Sequence, residues 1–240
     1  PCSRIHKGRG KKRALTHKAN KLMLPLQTSL ERYRNTFNRL GFYAPETFKG
    51  LFASGKAAPE SYAVISPAKP DGEQWIGIAP FAKHQGKIYP TEMMEEVVKA
   101  LSKRPKTKIF LFGGGEKETE ILGQWAKKYP GVRSLAGERH GFGTELALVN
   151  NLECMISMDS ANMHLASIAG VPVVSVWGAT HPYCGFKGWH QEDDNMIQLP
   201  LTCRPCSVFG DKPCHRGDYL CLAAIKPQII IDRATHLLDK

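Results

Sequence analysis

Short apolar runs alternate with helix-period segments over residues 75–177, and this alternation constrains the fold more than any other feature of the chain. Residues 75–79, 107–112, 132–135, 154–158 and 173–177 are too short for helices and rich in apolar residues, and read as strands. Between them, residues 91–103 follow Pro90 and place Met94, Val97, Val98 and Leu101 on one helical face. Residues 117–129 do the same with Ile121, Leu122, Trp125 and Tyr129. Short helices are expected over 144–151 and 161–169, the second stopped by Gly170 and Pro172. Strands that alternate with helices build a parallel sheet covered on both faces, so residues 73 to about 200 read as an α/β, Rossmann-like unit. No internal repeat or low-complexity tract interrupts it.

Composition narrows the class. At 42% hydrophobic and 23% charged residues, the 240-residue chain has a folded core and is not disordered. No apolar run approaches the roughly 18–20 residues that span a bilayer. The chain opens Pro-Cys-Ser-Arg, without an initiator Met or a signal-peptide pattern, and reads as a piece of a longer protein or a processed one. Its net charge of +11 is concentrated: residues 1–40 hold eleven Lys or Arg against the single acid Glu31. Such a segment attracts phosphates on nucleic acid, anionic lipid or a phosphorylated sugar, or is simply a solvated arm. Few aromatics lie in its first thirty residues, which counts against a base-stacking surface. Leu30, Tyr33, Phe37 and Leu40 recur at helical spacing, giving an amphipathic helix with a basic outer face that Gly41 stops. Residues 42–71 weaken into Gly, Pro, Ala and Ser and read as a connection, with a short strand at 62–65.

Three strand-to-helix junctions carry groups suited to a ligand. After the first strand comes a basic loop ending Gly86-Lys87-Ile88-Tyr89-Pro90, where an ammonium could neutralise charge on a departing phosphate or merely be solvated. The second is Gly113-Gly114-Gly115-Glu116: glycines allow close backbone approach, and a carboxylate can accept ribose hydroxyls or favour the positive end of a helix. It is not a dinucleotide fingerprint, since position 118 is Glu, and not a P-loop. The third is Asp159-Ser160, with Ser160 at the N-cap position and His164 in the first turns of the next helix. Asp159 and Ser160 there either cap the helix or help its free N–H groups hold an anion, and His164 is either a ligand group or a packed histidine. All three junctions fall at one edge of one sheet, which favours a nucleotide site.

Cys203, Cys206, Cys214 and Cys221 fall within nineteen residues, beside His215. The first pair has zinc-site spacing, but the second, spaced six apart, is irregular for a ribbon; reduced structural thiols or disulfides are alternatives. No metal is assigned. Cys2, Cys154 and Cys184 are isolated.

Residues 76–221 resemble the C-terminal half of the bacterial lipopolysaccharide heptosyltransferases, glycosyltransferase family 9, of the GT-B fold. The residues that carry the resemblance are Lys87-Ile88-Tyr89-Pro90, Phe112-Gly113-Gly114-Gly115-Glu116, Asp159-Ser160-Ala161-Asn162-Met163-His164-Leu165-Ala166 and Val176-Trp177-Gly178-Ala179-Thr180-His181-Pro182. Residues 4–42 resemble the last part of the family's N-terminal domain. The resemblance implies a remnant of the acceptor-side domain and linker over 1–72. It implies a donor-binding domain over 73–240, with the Cys-rich loop 203–221 and a C-terminal helix. It implies a nucleotide-sugar donor, usually ADP-heptose, with Lys87 at the diphosphate and Glu116 at the ribose. Asp159 with the backbone of Ser160 and Ala161 would hold phosphate and sugar, His164 would support that loop or reach the phosphates, and Phe142 would contact adenine near 141–144. The family usually has Gly where this chain has Ala161.

The implied reaction is inverting transfer of a heptose to a phosphorylated lipopolysaccharide core. Without an Asp-x-Asp motif, a helix N-terminus and Lys87 would stabilise the leaving diphosphate without metal or other cofactor. The family's general base is an Asp early in its N-terminal domain, and no position here matches it. Residues 1–240 alone are therefore expected to bind donor weakly and not to turn over. The basic N-terminus would meet the acceptor and the anionic inner membrane from the cytoplasmic side, with no nucleic-acid partner. A GT-B transferase or epimerase using a UDP-sugar fits the fold but fits the lysine loop less well; a basic nucleic-acid module leaves the three junctions unexplained.

Overall fold

The computed structural model describes residues 2–43, 45–53 and 55–240. Pro1, and Ala44 and Ser54 within the segment read as a connection, lie outside the described residues. Two helices, α1 (Arg9–Leu15) and α2 (Ser29–Asn38), precede the sheet. The strands are β1 (Gln74–Ala79), β2 (Thr107–Leu111), β3 (Val132–Ser134), β4 (Cys154–Met158), β5 (Val173–Trp177) and β6 (Met196–Gln198). All pair in parallel, in the order β3-β2-β1-β4-β5-β6. The connecting helices are α3 (Thr91–Leu101), α4 (Glu116–Lys128), α5 (Phe142–Asn150) and α6 (Ala161–Ile168), followed near the C-terminus by α7 (Leu220–Ala223) and α8 (Pro227–Leu238). The chain therefore runs outward from β1 to β3, then returns to place β4 beside β1, with Ile76 opposite Cys154 and Ala79 opposite Ser157. That reversal opens a crevice beyond the carboxyl ends of β1 and β4, where sheets of this kind take their ligands.

The central strands β1, β4 and β5 are mostly apolar because both faces are covered. Ile76, Ile78, Ile109, Cys154, Ile156 and Val174 point to one side, into a core shared with α3, α4 and α8. Alternate residues, among them Trp75, Phe110, Met155 and Trp177, point to the other, against α5, α6 and Tyr62. Trp75 is fully buried and makes edge contacts with Tyr62 and Phe110 at 5.7 and 5.1 Å. The buried Tyr89 hydroxyl donates to the Ile225 carbonyl at 2.6 Å, tying the lysine loop to the α7–α8 connection.

Apart from one short strand, the expected strands and helices form with boundaries shifted by at most two residues. The strand expected at 62–65 does not form: a 3-10 turn at Pro59–Ser61 runs into further turns, with the Ile65 and Ser66 N–H groups donating to the Tyr62 carbonyl. Tyr62 and Ile65 are buried while Val64 is 68% exposed, an i, i+3 pattern rather than the i, i+2 pattern of a strand. Helix α2 begins with a capping box between Thr28 and Glu31. Its apolar side is not covered within this chain: Leu30, Tyr33 and Phe37 are all about half exposed or more. The basic N-terminus is not simply a solvated arm, because Leu15 and Leu26 are buried against Cys184 and the Leu26 N–H donates to the Tyr183 carbonyl at 2.8 Å. Among the described residues no helix is long and apolar enough to cross a membrane.

Candidate functional site

Strand β1 delivers the chain to the crevice and a 3-10 turn at Gln85–Lys87 turns it back towards α3. Strand β4 delivers Asp159 and Ser160 to the same place, and β5 delivers the bend Gly178-Ala179-Thr180. The first two of these segments border an open cavity of about 720 Å³ whose wall includes Lys83, His84, Lys87, Asp159, Ser160, Ala161 and His164, with the β5 bend packed behind them. A cavity of this size falls in the range of small-ligand sites.

Its centre is a buried ion pair. The Lys87 ammonium lies 2.9 Å from Asp159 Oδ2, with side-chain exposures of 13% and 4%. The Thr180 hydroxyl, itself fully buried, donates to the same carboxylate oxygen at 2.9 Å. A lysine ammonium has three donors, so one can hold Asp159 while others face the cavity. Above this pair, α6 begins with Ser160 in extended conformation at the N-cap position but without a side-chain cap. The Ser160 hydroxyl instead meets the Ser157 hydroxyl at 3.2 Å. The expected serine cap is therefore corrected in this respect: the residue occupies the position, but its side chain leaves the helix's first N–H groups open towards the cavity. Those groups and the dipole favour an anion. Ala161 starts the helix, is exposed, and is not among the residues of positive φ, so its methyl group carries no backbone strain.

His164 stands exposed at the cavity wall. Partial loss of hydration lowers its pKa below the ordinary value, with Asp159 opposing the shift and Lys87 adding to it. The ring is thus held towards the neutral form, suited to a hydrogen bond rather than a full charge.

Glu116 and Phe142 are not in this wall. Glu116 is the exposed first residue of α4, whereas Glu118, two residues further along, lines the cavity and accepts from the Gly114 N–H at 2.8 Å. Phe142 is 71% exposed as the first residue of α5, so 142–144 are helix rather than loop. Both stand at the carboxyl edge of the sheet, beside the cavity rather than in it.

Sequence reasoning missed the contribution of the Cys-rich segment. Phe209 and Asp211 line the cavity wall, and Gly210 between them packs on the Lys87 stem. A Cβ at Gly210 would sit 2.8 Å from Lys87 Cγ, at a φ of +75°. The four cysteines of the segment are free thiols, and among the described residues no group of three or more His, Cys, Asp or Glu is placed to hold a metal ion. Burial pushes the Cys221 thiol up to about 11.

A parallel α/β sheet with an anion-favouring helix start and a lysine at its switch point defines a Rossmann-type ligand-binding unit. Solved structures share this fold: it superposes on E. coli ADP-heptose lps heptosyltransferase II with a TM-score of 0.64 at 19% identity, over 88% of this chain and 62% of that one. On a glycosyl transferase family 9 structure from Veillonella parvula the TM-score is 0.66 at 20% identity, over 92% and 63%. The sequence model for glycosyltransferase family 9 (heptosyltransferase) matches residues 5–214. The chain belongs to that family. Among curated relatives it is 26% identical to lipooligosaccharide heptosyltransferase 2 of Campylobacter jejuni, over 70% of this chain and 52% of the relative. The chain spans about half the length of the curated heptosyltransferase 2 relatives it matches.

Proposed function

We propose that residues 1–240 form the donor-binding part of an inverting heptosyltransferase. The enzyme moves a heptose from ADP-heptose to a phosphorylated lipopolysaccharide core. One observation carries the reading: the uncapped start of α6 and the Lys87–Asp159 pair share one open cavity at the sheet's switch point. Family membership and the ADP-heptose named for the E. coli structural neighbour support this choice of donor.

In this reading the α6 N–H groups and Lys87 receive the diphosphate. As the bond from the anomeric carbon to the diphosphate breaks, negative charge grows on the leaving oxygen, and those donors meet it without needing to reorganise. Asp159 holds Lys87 in place and adds an acceptor for a sugar hydroxyl, while Ser160 and Ala161 offer backbone. His164 donates or accepts one hydrogen bond at the rim. Glu116 would reach the ribose and Phe142 the adenine from beside the cavity, the wall itself offering Glu118 as an alternative carboxylate. No metal or other cofactor is assigned a role. Residues 1–72 belong to the acceptor side and 73–240 to the donor side. No group in the cavity is assigned as general base for the acceptor hydroxyl, so the isolated chain binds donor without turning it over.

The exposed apolar side of α2 and the basic residues before it fit a cytoplasmic protein working against an anionic inner membrane. Replacing Lys11, Lys12 and Arg13 with Gln should weaken binding to phosphatidylglycerol vesicles, and unchanged binding would remove this part of the reading. The nucleotide is tested by thermal unfolding with ADP or UDP. ADP at a hundred times its Kd should add about 2.7 kcal/mol, and UDP little. Equal stabilisation by UDP would overturn the assignment.

A further inference from the structure

The bend after β5 bonds to Asp159 and to Gly86, the residue before Lys87. The Ala179 N–H donates to the Gly86 carbonyl at 2.7 Å, fixing the turn immediately before Lys87. The Thr180 hydroxyl holds Asp159. Gly178 makes this approach possible, since a Cβ there would lie 2.5 Å from both the Gly86 oxygen and Leu222. The position of the bend therefore sets the relative placement of ammonium and carboxylate.

One side chain fixes the bend. Arg204, 3% exposed, donates through Nε to the Gly178 carbonyl and through Nη2 to the Thr180 carbonyl at 2.8 Å, gripping both shoulders. Its remaining bonds reach the end of β6, from Nη1 to the Leu199 carbonyl at 2.6 Å and from Nη2 to Gln198 Oε1 at 3.2 Å. All four acceptors are neutral, so the guanidinium is buried without a carboxylate. Burial of an unneutralised charge is costly, and an apolar residue would fill the space at less cost. A planar fork that locks several carbonyls at fixed angles is what Arg supplies and other side chains do not.

We propose that Arg204 is a positioning residue for donor binding, acting through the 178–180 bend on the Lys87–Asp159 pair. The donor-binding consequence rests on the nucleotide reading above; the coupling to Lys87 does not. The test compares Arg204→Gln, Arg204→Lys, Thr180→Val and Thr180→Ser with the unaltered chain, in two measurements. The first is the acetylation rate of Lys87 by N-hydroxysuccinimidyl acetate, read by peptide mass spectrometry. Lys56 is the internal reference, an exposed lysine whose ammonium is held elsewhere by the Asn150 carbonyl. The second is ADP affinity by calorimetry.

Arg204→Gln and Thr180→Val should each raise Lys87 acetylation and weaken ADP binding about tenfold, with Lys56 unchanged. Thr180→Ser, which keeps the hydroxyl, should restore both. Arg204→Lys keeps the charge without the fork and should behave like Arg204→Gln; it also serves if Arg204→Gln fails to fold. Wild-type values at Lys87 in a folded Arg204 variant, or an equal rise at Lys56, would overturn the proposal. If the unaltered chain binds no ADP, the nucleotide reading falls, and Lys87 acetylation alone decides the positioning.

Discussion

Replacing Lys87 with Met leaves the Asp159 carboxylate 4% exposed with the Thr180 hydroxyl as its remaining partner. Removing one member of a buried ion pair costs about 3–5 kcal/mol. Here the open cavity gives water some access to the carboxylate, and Met retains most of the stem's packing on Gly210, so about 2–3 kcal/mol is expected. For a chain of this size that lowers Tm by roughly 5–10 °C. Asp159→Asn should cost less, about 1 kcal/mol, because the freed ammonium can swing into the cavity and hydrate. The double variant loses the pair without stranding a charge. Its cost should be about 1–2 kcal/mol rather than the 3–4 kcal/mol of simple addition, a coupling of about 2 kcal/mol. Urea unfolding of the four proteins at pH 7 measures the cycle. Single-variant costs that add to within about 0.5 kcal/mol would show that the pair is not energetically coupled, and the reasoning about the centre of the site would fail.

Gly210→Ala should cost about 1–2 kcal/mol, because it places a side chain at positive φ and against the Lys87 stem; it should also weaken ADP binding, whereas Gly217→Ala, at similar φ with open space around it, should affect stability alone. His181 is held near pKa 4 by burial, with Arg204 adding to the effect, and its Nδ1 accepts from the Tyr183 N–H at 3.0 Å. The unfolded chain takes up this proton first, so stability is fully present above about pH 6.5 and falls as the pH drops towards 4. His181→Asn, which keeps an acceptor, should flatten that fall by about one proton in a urea series. Tyr89→Phe removes the buried bond to Ile225 and should cost about 1 kcal/mol, measured by thermal unfolding.

The fold was legible where burial is complete. Cys154–Met158 and Val173–Trp177 are apolar runs broken only by Ser157 and Ser175 and bounded by Glu153, Asp159, Pro172 and Gly178, and both form strands with those limits. Strand β6 was not legible: it has three residues, all half-buried, and lies at the sheet edge, where neither apolar continuity nor alternation marks it. Helix α1 carries four basic residues in seven, and its single buried residue, Leu15, gives no periodicity. At the site, Asp159 and Ser160 stood out because they follow a strand directly, and Lys87 because it lies in a basic loop just before a Pro-started helix. Glu116 was expected at the ligand, but Glu118 lines the cavity: two residues along a helix turn a side chain by about 200°, which decides which carboxylate faces the wall. Thr180, Arg204, Phe209 and Asp211 join the site through contacts between distant segments, which no local spacing reports.

The central claim is that the α6 start and the Lys87 loop together hold the nucleotide's diphosphate. Amide hydrogen exchange with and without saturating ADP tests it most directly. The account predicts added protection over 84–88 and 160–165, with none over 48–52 and 189–192 on the far side of the domain. Protection absent from both predicted segments while ADP is bound, or confined to other parts of the chain, would contradict it.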